Sequence, residues 1–192
     1  ATAAYYYALL GETEEIPEIF HTHTLFSVNI LAPGKPMIEM VENQVYLAQG
    51  AYAKVIGRSE GLLAACAGLQ YALVALHLRI QTAAAYAMLG KTEEAQALLL
   101  QALQEAEPDE FLLPFVENYR YIKKTLEKLP QTPLLARIQR LGKASEQRQK
   151  QLSTHRPASL AALTEREYEI VKLMASRLRN REIAEKLFLS EG

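Results

Sequence analysis

The clearest pattern in this chain is a helical one. Leu73, Leu76, Ile80, Ala84 and Ala87 recur at three- and four-residue steps, which predicts a helix from about Gln70 to Leu89. Ala95, Leu98, Leu99, Ala102 and Leu103 form a second such stripe and predict a helix from about Thr92 to Ala106. Pro108 then ends the run. The same rhythm predicts a pair over about Met37–Gln49 and Tyr52–Ala67.

Three stretches read alike: Tyr7-Ala8-Leu9-Leu10-Gly11, Tyr46-Leu47-Ala48-Gln49-Gly50 and Tyr86-Ala87-Met88-Leu89-Gly90. Their glycines are 39 and then 40 residues apart. Each motif is an apolar helix end, a glycine suited to a left-handed cap, and a new helix start. Thr92 or Thr13 can cap the helix that follows. Repeats of this length predict helix pairs stacked into a solenoid. At least one of Ala84 and Ala102 is expected at a buried helix crossing, where small side chains permit close approach.

The remainder is less regular. Leu31-Ala32-Pro33-Gly34-Lys35-Pro36 marks a connector. A short amphipathic helix is expected near Tyr121–Leu129, closed by Pro130 and Pro133. From Leu134 to about Leu152 the chain reads as a polar helix or linker, and Ser153 to Ser159 as a loop. The expected fold is all-α: a repeat domain over 1–130, a basic helical linker over 131–159, and a separate unit over 160–192.

That last unit carries the most informative motif. Thr164 and Glu167 have capping-box spacing. Ile170, Val171, Leu173 and Met174 then supply a stripe expected to be buried. Residues 177–179 form a turn, Asn180 starts a short helix holding Ile183, Ala184 and Leu187, and Ser190 can cap a third. Helix, short helix, tight turn and new cap are the layout of a helix-turn-helix. Leu163, Thr164, Arg166, Glu167, Asn180, Glu182, Ile183, Ala184, Leu187 and Ser190 together closely resemble the LuxR-type DNA-binding domain. The repeats and the basic linker are similar to the tetratricopeptide-like region of large, MalT-like regulators of that family.

The resemblance implies a bacterial transcription regulator whose repeats sense an effector or partner and control a DNA-binding tail. A non-catalytic interaction scaffold is the alternative. Arg177, Arg179, Asn180, Arg181, Lys186 and Ser190 are the candidate DNA contacts. Tyr46, Tyr71, His77, Tyr86 and Tyr119 are the candidates to line an effector or partner surface, although tyrosines at helical spacing are more often core. Base readout is expected from the helix that has barely begun at Gly192, so weak binding without sequence preference is expected of the 192 residues.

Charge sharpens this picture. Residues 1–130 hold 9 Lys/Arg against 15 Asp/Glu, and residues 131–192 hold 12 against 7, giving −6 and +5. An acidic body with a basic tail suits nucleic acid at the tail. Composition narrows the classes further. Cys66 is the single cysteine, inside an apolar run, and is expected to be a small buried hydrophobe. No nucleophile–base pair, metal-ligand spacing or paired catalytic carboxylates stand out, so no enzyme, cofactor or metal is expected. His21 and His23 lack a nearby third ligand, and a phosphate-binding Gly-rich loop ending in Gly-Lys-Ser/Thr is missing from the sequence. No apolar run has the length of a membrane span and no basic-then-apolar leader opens the chain, so a cytoplasmic location is expected. The start at Ala1, inside an apolar stretch, reads as a piece of something longer. DNA, an unidentified small-molecule or protein effector, RNA polymerase and a second copy of the chain are the partners considered.

Overall fold

A computed structural model describes residues 2–20, 32–154, 164–175, 178 and 180–187. The described residues contain helices and no strand, as the periodicity predicts. The chain divides into two compact units, Ala1–Gln147 and Arg148–Gly192.

The first unit is built from α1 (Thr2–Leu10), α2 (Lys35–Ala48), α3 (Tyr52–Leu69), α4 (Ala72–Met88), α5 (Thr92–Ala106), α6 (Leu113–Glu117), α7 (Tyr119–Leu126) and the first part of α8 (Pro133–Thr154). Helix α1 packs on α2, α2 on α4, and α4 on α7. Helices α3 and α5 pack against α4, which is therefore enclosed by its neighbours. Its middle shows this directly, since Ile80 through Ala85 are all buried.

The three repeated glycines end α1, α2 and α4 with the same geometry. Gly11, Gly50 and Gly90 have φ of 81°, 74° and 75°, a left-handed backbone that costs glycine little. In each, the amide after the glycine donates to a tyrosine carbonyl: Glu12 to Tyr7 at 2.9 Å, Ala51 to Tyr46 at 2.8 Å, and Lys91 to Tyr86 at 3.0 Å. The glycine amide donates one residue further on, to Ala8, Leu47 and Ala87. This is the Schellman arrangement, which satisfies carbonyls a helix end leaves open. Two further helix ends use it without glycine. Gln70 (φ 58°) follows α3 and Glu110 (φ 50°) lies just past α5, with Tyr71 donating to Cys66 and Phe111 to Ala106.

Two expected starts differ. After Gly11 the chain forms single 3₁₀ turns, Thr13–Glu15 and Glu18–Phe20, in place of a second α-helix. Pro17 explains this: it disfavours helical backbone at the residue before it, and Ile16 is extended at φ −69°, ψ 128°. Thr92 does not cap α5, because Lys91 holds the cap position without a side-chain bond. Glu93 and Glu94 in the first turn supply the favourable charge instead.

The main core joins α2–α5 to α6, α7 and α8 through Leu76, Ile80, Leu99, Phe115, Ile122, Leu126, Leu135 and Ile138. Ala84 and Ala102 are both fully buried in it, as expected of small residues at crossings. Cys66 is buried beside Leu62 and Leu78, and burial raises its thiol pKa. Leu134, Leu135 and Ile138 seat the start of α8 against the body, so this stretch is more than a polar linker. Gly142 continues that seat, because a Cβ there would stand 2.2 Å from the Tyr119 ring. Ion pairs Lys123–Glu146 (2.8 Å) and Arg137–Glu110 (2.5 Å) flank it.

Candidate nucleic-acid interface and repeat face

The second unit contains α9 (Glu165–Ala175) and α10 (Asn180–Lys186), which pack on each other. The capping box forms as the spacing predicts. The Thr164 amide and hydroxyl both donate to Glu167 Oε2, at 2.6 and 2.7 Å, and the Glu167 amide donates to Thr164 Oγ1 at 3.3 Å. The Leu178 amide returns to the Leu173 carbonyl and closes the far end of α9.

Arg166 ties the two helices together, its guanidinium donating to the Leu187 carbonyl just past α10. The cation thus meets the negative end of that helix. Arg166 also pairs with Glu169 at 3.2 Å. Its position in the motif was legible in the sequence, but its partner lies 21 residues away and was not. Ile183 and Leu187 are buried, while Ile170, Val171, Leu173 and Ala184 are half-buried. Met174, expected in the buried stripe, is 57% exposed.

Among the candidate DNA contacts, Asn180 is the first residue of α10. Arg181 and Lys186 are exposed. Arg181 forms an exposed i,i+4 ion pair with Glu185 at 3.2 Å, which water and salt weaken. Arg177, Arg179 and Ser190 lie outside the described residues, as do His21 and His23.

The five candidates on the repeats do not share one surface. Tyr46 and Tyr119 are core residues, 6% and 2% exposed. Tyr46 donates to Glu42 Oε1 at 3.2 Å, and the Lys54 and Arg58 cations lie 5.1 and 5.6 Å from its ring. Glu42 in turn holds Arg58, which also approaches Glu39 at 3.6 Å. Tyr71 and Tyr86 are half-buried at opposite ends of α4, with Lys91 over the Tyr86 ring.

His77 belongs to a polar cluster that the sequence did not reveal. Tyr5 on α1 donates to Glu117 Oε2 at 2.7 Å, and that oxygen stands 3.9 Å from His77 Nδ1. The latter gap is too long for a hydrogen bond, and Nδ1 is buried without a partner. Burial prevails over the nearby carboxylate and lowers the His77 pKa to about 4. Burial likewise raises Glu117. Arg120 adds a second tie to α1 by donating to the Ala8 carbonyl at 2.8 Å. Beside this cluster, Gln81 donates to Gln44 Oε1 and to the Met40 carbonyl, joining α4 to α2.

Among the described residues, no group of three His, Cys, Asp or Glu is placed to hold a metal, and no helix is long and apolar enough to cross a membrane. No curated protein and no solved structure matches the chain. Residues 161–192 match the family model described as bacterial regulatory proteins, luxR family, which supports a DNA-binding transcription regulator carrying a LuxR-type helix-turn-helix at this end.

Proposed function

We propose that this chain is part of a bacterial transcription regulator in which the paired-helix body, similar to a tetratricopeptide-like region, receives an effector or partner and controls DNA binding by the LuxR-type unit. The family match over residues 161–192 carries the reading. The capping box at Thr164 and the tie from Arg166 to Leu187 support it, since both use residues of the matched motif.

In this reading Arg181 and Lys186 meet phosphates, together with Asn180 at the start of α10. Arg177, Arg179 and Ser190 complete the set of proposed contacts. Such contacts position a protein on DNA but carry no base information. On the body, the half-buried Tyr71, His77 and Tyr86 are the accessible members of the effector set. Tyr46 and Tyr119 would answer an effector only through repacking. RNA polymerase and a second copy of the chain are further partners of a regulator of this kind, and the reading requires no catalysis or cofactor.

Fluorescence anisotropy with duplex DNA across a salt series tests the reading. The 192 residues should bind with a dissociation constant on the order of 10⁻⁴ M or weaker at physiological salt. Affinity should fall steeply as salt rises, with little sequence preference. Absence of DNA binding even at low salt would favour the scaffold alternative. A ligand screen by thermal shift addresses the body, because a ligand that binds only the folded state raises its stability.

A further inference from the structure

We propose that a groove between the start of α4 and the end of α5 docks a basic amphipathic helix of a partner protein. The groove has a volume of about 310 Å³ and lies within the first unit. Its apolar part is Ala72, Leu73, Ala75 and Leu76 on α4, with Phe111 opposite. Leu73 is 47% exposed and Phe111 40%, so two large apolar side chains face water across it.

The backbone places Phe111 at this groove. Glu110 adopts a left-handed conformation, at φ 50°, that a non-glycine residue rarely occupies. It turns the chain so that the Phe111 amide bonds back to the Ala106 carbonyl at 3.1 Å. Phe111 is thereby fixed beside the end of α5.

Charge selects the occupant. Arg79, the one cation lining the groove among the described residues, is already paired with Glu105 at 2.5 Å. Asp109 is exposed, with no ion pair among the described residues, and exposed Glu107 precedes it on the same turn. The rim is thus net negative around an apolar floor. A helix with a leucine-type face and flanking Lys or Arg satisfies both features, the helix-in-groove mode of recognition. An acidic or purely polar partner satisfies neither.

The probe is a fluorescein-labelled amphipathic peptide with Leu on one face and Lys on the other, and its Leu/Glu counterpart is the control. Anisotropy should show the Leu/Lys peptide binding and the Leu/Glu peptide not. Leu73→Asp should weaken binding about tenfold or more, as removal of a central anchor does. Asp109→Lys should weaken it several-fold and reduce its salt dependence. Glu14→Lys makes the same charge change at an exposed site elsewhere on the body and should leave affinity unaltered. Circular dichroism of each variant confirms folding, which exposed positions should tolerate. Equal binding of both peptides, no binding of either, or equal losses from Asp109→Lys and Glu14→Lys would each overturn the proposal.

Discussion

The body around α4 and the small unit of α9 and α10 are stabilised by different means. In the body, ordinary apolar faces are buried on several sides, and alanines such as Ala84 and Ala102 let helices meet closely. Polar bonds there join remote segments, as Tyr5 to Glu117 does across 112 positions. In the small unit, Ile183 and Leu187 are buried, while a capping box and one arginine organise the helix ends. A body of the first kind resists change through packing. In the described part of the second unit, polar bonds at the helix ends stand beside a small buried pair.

The sharpest test of this contrast is overpacking. Ala84→Leu or Ala102→Leu should cost about 1–3 kcal/mol, measured by denaturant unfolding of the body. Gly142→Ala should also destabilise, by about 1–3 kcal/mol, because its new Cβ would meet the buried Tyr119 ring at 2.2 Å. Unchanged unfolding for all three would remove the close-packed account.

Acid should find the body next. Burial lowers the His77 pKa to about 4, against about 6.5 in the unfolded chain. The unfolded state therefore binds more protons between these values. His77 contributes stability in full above pH 6.5, and this is lost as pH falls toward 4, by up to about 3 kcal/mol. Glu117, raised by burial, changes stability in the opposite direction and reduces the net effect. His77→Gln should flatten the profile of melting temperature between pH 7 and 4, and an unaltered slope would show that His77 is not the group responsible.

The small unit should respond to its caps. Thr164→Ala should cost about 1 kcal/mol of local stability, seen as faster hydrogen exchange at the first amides of α9. The unfolding midpoint of the body should stay where it is. A shift of both together would mean that the two units do not melt independently.

Glycine gives a comparison within the body itself. Gly61 lies in α3 with nothing within 4 Å of where a Cβ would stand. Gly61→Ala should stabilise by about 0.5–1 kcal/mol, opposite in sign to Gly142→Ala. The smallest expected effect on stability is from Arg181→Ala, within about 0.5 kcal/mol because its ion pair with Glu185 is exposed. The same change should weaken DNA binding and lessen its salt dependence.

The amino-acid sequence alone determined the helices α2 to α5, the three glycine caps and the capping box of α9. Each rests on hydrogen bonds or apolar spacing within a few positions of the chain, and local chemistry of that range can be read directly. It also carried the LuxR-type motif, whose residue types and spacing do not depend on the rest of the fold. The tertiary structure decided what depends on distant neighbours. Nothing near Gln70 or Glu110 announces a left-handed residue, because neither is a glycine. Tyr46 and Tyr119 looked like Tyr71 and Tyr86 in sequence, yet only the first two are in the core. Arg166 became a tie between helices, and His77 joined a buried cluster, because their partners come from other elements. Burial and charge environment belong to the packed molecule, since they are set by residues that become neighbours only when the chain folds.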